Sequence, residues 1–215
     1  MRVLHVASGD LWAGAEVMLH ALATAQSRLQ NTAVAVLLFN EGKLAHKLRS
    51  AGMQVFIHPE QRLNSLRLLM RTRRTVRTFK PDIVHTHRIK EDVIGALATF
   101  PSGRGIRLVR TVHGADEVTR ASVARRLIAA LHDACIRSAF SRSFAVSAPL
   151  AEQLALQYGA DRVACVPNGI DLAPLSSHRR RVDERRAQGP VHIGFIGRMV
   201  PIKRVDLFLG AAAIL

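Results

Sequence analysis

The chain has 215 residues, 48% of them hydrophobic and 5% aromatic, with a formal net charge of +15. This length allows one domain with a sizeable aliphatic core and is short for two. No stretch reaches the roughly 18 uninterrupted apolar residues that a membrane span needs. Ser8, Gly9 and Asp10 interrupt the N-terminal apolar run before a signal peptide forms. We therefore expect a cytoplasmic protein, at most peripheral at the inner face of the cytoplasmic membrane.

Stretches typical of strands and of helices alternate through the first 171 residues. Strands are predicted at 2–7, 32–39, 54–58, 83–86, 107–112, 143–146 and 163–166. Helices are predicted at 15–29, 41–51, 63–79, 92–100, 121–138 and 148–158. Strands separated by helices in this way indicate βαβ units. The predicted fold class is therefore α/β, with a doubly wound, parallel, Rossmann-like sheet.

The alternation breaks after residue 171. Residues 172–190 combine prolines with a cluster of arginines, which is typical of an interdomain linker. Residues 191–196 then have the pattern of a strand and 205–215 that of a helix, which is how a second Rossmann-like domain begins. Because a strand and one helix cannot bury their own faces, we expect this second domain to be incomplete. The predicted organisation is a domain at 1–171, a linker at 172–190 and the start of another domain at 191–215.

The turn after the first predicted strand contains Gly9 and Gly14 and leads into the first helix. In open α/β sheets, ligands bind outside the carboxyl ends of the strands. Small residues there let the backbone approach a ligand, and a helix N-terminus favours negative charge. The spacing is not that of a dinucleotide fingerprint. A tight turn that needs glycine only for its geometry is the alternative interpretation.

Histidines lie at the ends of the fourth and fifth predicted strands. His85 and His87 are two residues apart, so both side chains point to one face of the strand, and His113-Gly114 ends the next strand. Three histidines at one edge are a possible metal site. No nearby carboxylate completes the set, so we predict that no metal binds. The other interpretation is polar contact with a substrate, with His113 hydrogen-bonding a hydroxyl.

Two cations follow the first predicted strand of the second domain. Arg198 and Lys203 lie beside the N-terminus of a predicted helix. Two fixed cations there suit a diphosphate that gains charge as it leaves. The alternative is a solvated basic turn in an arginine-rich chain.

Together these segments resemble family 4 glycosyltransferases of the GT-B fold. The resemblance implies retaining transfer of a sugar from a nucleoside diphosphate sugar to an acceptor hydroxyl, with no metal or other cofactor. It also implies a role in glycan, polysaccharide or glycolipid synthesis, so the expected partners are a nucleotide-sugar donor and a glycan or lipid-linked acceptor. The segments that carry the resemblance are Ala13-Gly14-Ala15-Glu16, residues 82–87, His113-Gly114, Ser147, residues 167–171 and Gly197-Arg198 with Pro201 and Lys203.

The resemblance also assigns roles to individual residues. His113, the predicted catalytic residue, would contact the transferred sugar. Gly14 would lie in the loop near the donor phosphate and the acceptor. Arg198 and Lys203 would hold the diphosphate. The remaining predicted substrate-binding residues are Glu16, His87, Ser147 and Asn168.

Two departures from the family pattern matter. The family usually has a glycine where this chain has Ala13, and a methyl group there is expected to crowd the loop. The paired-glutamate motif of the family, together with the part that holds the base and ribose, belongs further into the second domain and is not in this sequence. We therefore expect the chain as given to be inactive.

Residues 62–80 form a basic, amphipathic stretch. Its arginines alternate with apolar residues such as Leu66 and Met70. Basic amphipathic helices lie on anionic membranes, so peripheral membrane contact through this helix is one interpretation. An ordinary core-facing helix with a solvated basic side is the other.

Three other functions are compatible with parts of the sequence. One is a non-catalytic fragment of a glycosyltransferase. A second is a basic nucleic-acid-binding module, but one Tyr and one Trp leave few stacking platforms, so we expect no nucleic acid partner. A third is a metal hydrolase that uses His85, His87 and His113.

Overall fold

The computed structural model describes residues 1–100, 105–114, 123–172, 192–197 and 199–214, without the side chains of 123–125 and 202. The chain divides into two compact units, Met1–Ile170 and Asp171–Leu215. The predicted linker, apart from Leu172, lies outside the described residues.

The first unit contains a seven-stranded sheet in the order β3-β2-β1-β4-β5-β6-β7. Every pair of neighbouring strands is parallel. The predicted doubly wound α/β fold is confirmed. The strands are β1 (Arg2–Ala7), β2 (Ala33–Leu38), β3 (Gln54–Ile57), β4 (Ile83–Thr86), β5 (Arg107–Val112), β6 (Phe140–Ala145) and β7 (Val163–Cys165). The helices are α1 (Gly14–Ser27), α2 (Lys43–Ser50), α3 (Ser65–Phe79), α4 (Ile89–Thr99), α5 (Val123–Ala139) and α6 (Ala148–Tyr158).

The two faces of the sheet bury two separate cores. Leu4 and Val6 of β1 join a cluster with side chains of α3 to α6. Val36 and Leu38 of β2 join a second cluster with α1 and α2. Successive side chains of a strand point to opposite faces, so His5, between Leu4 and Val6, points toward the α1 side.

Helix α4 packs very closely against β4. A Cβ atom at Gly95 would lie 2.9 Å from Thr86 Cγ2, a separation that real Cβ atoms essentially never show. Helix α4 begins at Ile89, earlier than the predicted 92, because Glu91 and Asp92 are buried in its first turn by partners in the sheet and loops. This packing fixes the short connection, His87 and Arg88, that leaves β4.

The second unit contains a short 3-10 turn, Pro201–Lys203, and helix α7 (Val205–Ala212). The predicted strand at 191–196 is wrong for its described part, because residues 192–196 pair with no strand. A strand needs a neighbour to take up its backbone hydrogen bonds, and these residues have none among the described parts of the chain.

Candidate functional site

The strand order reverses direction between β1 and β4. The chain builds outward through β2 and β3 on one side and through β5 to β7 on the other. In open α/β sheets the crevice at such a switch point, outside the carboxyl ends of the strands, is where ligands bind. Ser8, His87 and His113 follow β1, β4 and β5 at this edge.

Two glycines let the loops after β1 and β2 touch. Gly9 has φ +80°, and a Cβ there would lie 3.1 Å from the carbonyl oxygen of Asn40. A Cβ at Gly42 would lie 2.5 Å from the carbonyl oxygen of Gly9, which no side chain can tolerate. Gly14 differs, because a Cβ there would meet no atom within 4 Å. Gly14 therefore faces open space at the N-terminus of α1.

Glu16 organises the first turn of α1. Its Oε2 accepts a hydrogen bond from the Ala13 backbone N–H at 3.1 Å, and its Oε1 accepts one from Arg88 at 2.8 Å. The side chain is only 4% exposed. The structure therefore shows the carboxylate of Glu16 bound within the loop, and its predicted role in substrate binding stays a prediction.

Ala13 fits the position where the family usually has glycine. Its backbone is extended, with φ −133° and ψ −170°, a conformation open to any L-residue. The expected crowding by its methyl group is therefore not a backbone conflict. Ala13 instead donates its backbone N–H to the Glu16 carboxylate, which is one of the two hydrogen bonds of a capping box.

Two histidines within β1 and β4, and two that follow β4 and β5, form a connected group. His5 and His85 are cross-strand partners in the β1–β4 register. His5 Nδ1 lies 3.2 Å from His87 Nε2, and His87 Nδ1 lies 3.3 Å from His113 Nε2. At the other end, His5 Nε2 lies 2.7 Å from Gln26 Oε1. His85 contacts Thr111 Oγ1 through Nε2 at 2.8 Å.

Burial keeps this group neutral. Burial lowers the pKa of His5, and of His113 beside Arg88, to about 4. Burial, with the neighbouring imidazoles, lowers the pKa of His85 and His87 well below the ordinary value. A neutral imidazole offers one N–H donor and one bare acceptor nitrogen. The group can therefore hydrogen-bond a hydroxyl without carrying charge. His87 is buried, and both of its nitrogens contact other histidines, so its role in substrate binding stays a prediction.

Three of these histidines meet the distance criterion for a metal site. One nitrogen each of His5, His85 and His87 lies within 4.8 Å of the others, so the third member of this set is His5 and not the predicted His113. Neutral imidazoles suit a divalent transition metal. However, the rings of His85 and His87 are stacked at 4.5 Å and 23°, and His5 Nδ1 and His87 Nε2 already contact each other at 3.2 Å. A site that works without metal stays our prediction.

Glu91 is a site residue that the sequence did not indicate. Ser8 Oγ donates to Glu91 Oε1 at the end of β1, and Glu91 Oε2 is buried without a partner among the described residues. Burial raises the pKa of Glu91. His5, Gln26 and Arg88 were also missed. The available signals were a polar residue inside the apolar run of β1 and two adjacent acidic residues at the start of α4.

The other predicted residues belong to different segments of the chain. Ser147 is exposed at the N-cap of α6, after β6, and Asn168 is exposed after β7. Lys203 is exposed in the second unit. Arg198 lies outside the described residues.

A buried ionic network supports the strands next to the histidines. Asp92 Oδ2 accepts from Arg110 at 3.4 Å and lies 2.8 Å from His132 Nε2. Arg110 also donates through Nε to Ser143 Oγ at 2.9 Å. The network joins α4, β5, α5 and β6, and thereby fixes the strand that ends at His113.

Residues 12–174 match the protein family described as Glycosyltransferase Family 4. This match spans more than half of the chain. The chain belongs to glycosyltransferase family 4. The resemblance drawn from the sequence motifs is confirmed.

Relatives of this family 4 chain include two named D-inositol 3-phosphate glycosyltransferases. The protein of Geodermatophilus obscurus is 32% identical over 142 residues, which cover 61% of this chain and 31% of that protein. The protein of Acidothermus cellulolyticus is 32% identical over 148 residues, with the same coverage of 61% and 31%. The match thus spans less than a third of the length of these curated relatives.

Solved structures share the fold of this family 4 chain. Anabaena HepE in complex with UDP-glucose superposes with a TM-score of 0.74 at 22% identity, covering 99% of this chain and 57% of that chain. The lipopolysaccharide outer core galactosyltransferase WaaB, in its apo form, gives a TM-score of 0.61 at 14% identity, covering 80% and 47%. No helix among the described residues is long and apolar enough to cross a membrane.

Proposed function

We propose that this chain is part of an enzyme that transfers a sugar, with retention, from a nucleoside diphosphate sugar to an acceptor hydroxyl in glycan, polysaccharide or glycolipid synthesis. The observation that carries the proposal is His113, half-buried at the switch point and backed by neutral histidines, in a chain that belongs to glycosyltransferase family 4. HepE, which shares the fold, is known in complex with UDP-glucose.

The residues of the first unit suit hydroxyl recognition. Neutral His113 hydrogen-bonds a sugar hydroxyl without the cost of burying a charge. Gly14 leaves open space at the N-terminus of α1, where backbone N–H groups favour an anion. Arg88 and Glu16 hold that turn in place. No metal or other cofactor enters the proposed reaction.

Lys203 and Arg198 are proposed to bind the diphosphate. Fixed cations stabilise negative charge that develops as a diphosphate leaves. Lys203 is exposed, so its ammonium is accessible to a ligand. Replacing one such contact costs on the order of a hundredfold in turnover.

The test uses the product of the complete open reading frame and a panel of nucleoside diphosphate sugars. Sugar transfer and nucleotide release are measured for the unchanged protein and for the variants His113→Ala and Lys203→Ala. We expect each variant to lose on the order of a hundredfold in turnover. His46→Ala, an exposed change on α2, is the matched control. Unchanged turnover in both variants would defeat the proposed roles.

A second surface favours a membrane-bound acceptor. Helix α3 buries Thr72, Val76 and Phe79 and leaves Leu66 and Met70 outward, at 65% and 62% exposure. The outward arginines of the helix are Arg67, Arg71, Arg74 and Arg77.

One of the outward apolar residues of α3, Leu66, also lines a groove. The groove, between α3, α4 and α5, has a volume of about 1190 Å³ and is lined mainly by apolar side chains, including Leu97 and Ile128. Both are exposed. Apolar surface next to the outward arginines of the same helix, α3, matches an anionic membrane, which offers both acyl chains and phosphate headgroups. We therefore propose that this face rests on the membrane that holds a lipid-linked acceptor.

Vesicle co-sedimentation tests the membrane proposal. The complete protein should bind vesicles that contain phosphatidylglycerol and release them as the salt concentration increases. It should not bind vesicles of phosphatidylcholine alone. The double variants Leu66→Ser with Met70→Ser, and Arg67→Gln with Arg71→Gln, should each lose binding. Arg28→Gln, an exposed charge at the end of α1, is the control. Equal binding by all variants would refute the proposal.

A further inference from the structure

A chain of edge contacts runs from Gln26 to His113. The nitrogen-to-nitrogen distances are 3.2 Å for His5 with His87 and 3.3 Å for His87 with His113. The matching ring centroids are 5.4 and 5.6 Å apart, more than 2 Å longer. The rings therefore meet nitrogen to nitrogen at their edges, as hydrogen-bonded imidazoles do. His85, by contrast, lies face to face on His87 at 4.5 Å between centroids.

The Gln26 end gives the chain a direction. An amide oxygen only accepts, so His5 Nε2, at 2.7 Å from Gln26 Oε1, carries the proton. His5 Nδ1 is then bare and accepts from His87 Nε2–H. His87 Nδ1 is bare in turn and accepts from His113 Nε2–H. Each ring repeats the same tautomer, and the last nitrogen of the chain, His113 Nδ1, is left bare.

The interior position of the first two rings limits each of them to one proton. His5 and His87 are buried, at 0% and 3% exposure. Burial opposes a second proton on either ring, as the lowered pKa of each reflects. His113 is half-buried, and among the described residues nothing hydrogen-bonds its Nδ1. Among the nitrogens of this row of hydrogen bonds, His113 Nδ1 is therefore the one whose protonation state a ligand can meet.

We propose that Gln26 sets the tautomer of His113 through His5 and His87, so that the site presents a bare nitrogen and selects ligands that offer it a hydroxyl donor. The hydroxyl selection rests on the proposed function, whereas the tautomer does not. Gln26, His5 and His87 are positioning residues. A ligand group that only accepts, such as a carboxylate at the same place, is disfavoured because it would face a lone pair.

Nitrogen-15 NMR of the imidazole rings tests the tautomers in the complete protein without ligand. Long-range proton–nitrogen correlations distinguish a protonated nitrogen from a bare one, and His113→Gln assigns the His113 signals. We expect protonated Nε2 and bare Nδ1 on His5, His87 and His113. In Gln26→Leu, His113 should lose its single tautomer and show both. Gln30→Leu, an exposed change after the same helix, is the control and should leave His113 unchanged.

A second variant keeps the proposal open to refutation if the first one folds poorly. His5→Phe retains a ring of similar shape but removes the acceptor for His87, so it should produce the same mixture at His113. If Gln26 has only a structural role, Gln26→Leu should lower stability and leave the tautomer of His113, two rings away, unchanged. That result, or a protonated His113 Nδ1 in the unchanged protein, would overturn the proposal. Stoichiometric zinc on His5 and His87 would overturn it too, because a coordinated nitrogen accepts no proton.

Ligand binding separates this inference from the proposed function. UDP-glucose, the probe used, should shift the His113 signals, and its Kd should rise about fivefold in Gln26→Leu, the equivalent of one neutral hydrogen bond. If UDP-glucose leaves His113 unmoved while Gln26→Leu still mixes its tautomers, the proposed function fails for this donor and the tautomer assignment is supported.

Discussion

Arg88 donates a hydrogen bond to Glu16 at 2.8 Å and thereby joins the residue before α4 to the first turn of α1. The two residues are 72 positions apart in the sequence. The contact holds the loop after β1 against the connection that leaves β4, on the two sides of the switch point. The loop geometry therefore depends on a contact between two segments that are distant in the sequence.

Removing Glu16 should destabilise the protein and loosen this loop. Glu16→Ala leaves the Ala13 N–H and the Arg88 guanidinium without their acceptor, at a cost of about 1–3 kcal/mol in the free energy of unfolding. Glu16→Gln keeps an acceptor for Ala13 and should cost less. Urea denaturation measures both. Glu41→Ala, which breaks an exposed ion pair with Arg49, is the control, and an equal cost there would contradict the argument.

Two glycines of the site should respond oppositely to alanine. Gly42→Ala places a Cβ 2.5 Å from the Gly9 carbonyl oxygen, so the touching loops must move, at a cost of about 1–3 kcal/mol. Gly14→Ala meets no atom within 4 Å and should leave stability unchanged or slightly raised. Because Gly14 faces the proposed ligand, that variant should still lose affinity for a nucleotide sugar. Denaturation and calorimetric titration separate the two effects, and a strongly destabilised Gly14→Ala would count against this account.

The buried network should be more sensitive than an exposed pair. Asp92→Asn leaves the Arg110 guanidinium, on a side chain only 5% exposed, without its counter-charge. Breaking such a buried pair costs about 3–5 kcal/mol. Asp133→Asn, in the exposed pair with Arg137, should change stability much less. Similar midpoints for both variants in urea would show that the network does not support the sheet as inferred.

The apolar runs in the sequence predicted the sheet well, because parallel strands buried on both faces appear as short hydrophobic segments. The start of β6 was missed because Ser141 and Arg142 are exposed on a strand whose inward residues are Phe140 and Ser143. The start of α4 was missed because Glu91 and Asp92, polar in the sequence, are buried through specific partners.

The histidine group shows which contacts the periodicity of the sequence predicts and which it does not. The spacing of His85 and His87 predicted a shared face, and the two rings do stack. The contact between His5 and His87 depends on β1 lying next to β4, and periodicity along a strand does not specify which strands adjoin. Contacts between distant segments, including Gln26 with His5, therefore needed the structure.

The buried histidines should make the protein less stable in mild acid. In the folded protein the pKa of His5 and of His113 is about 4, against an ordinary value of 6.5. Between pH 6.5 and about 4 the unfolded chain binds protons that the folded chain does not, so the free energy of unfolding falls as pH falls. Each ring contributes up to about 1.4 kcal/mol per pH unit in that window and nothing above it. Urea denaturation across this pH range is the measurement. His5→Gln and His113→Gln should each reduce the slope of the free energy of unfolding against pH by the equivalent of about one proton. His46→Gln, at an exposed position, is the matched control. If both variants keep the slope of the unchanged protein, the two rings do not titrate below their ordinary range and the neutral chain from Gln26 to His113 loses its electrostatic basis.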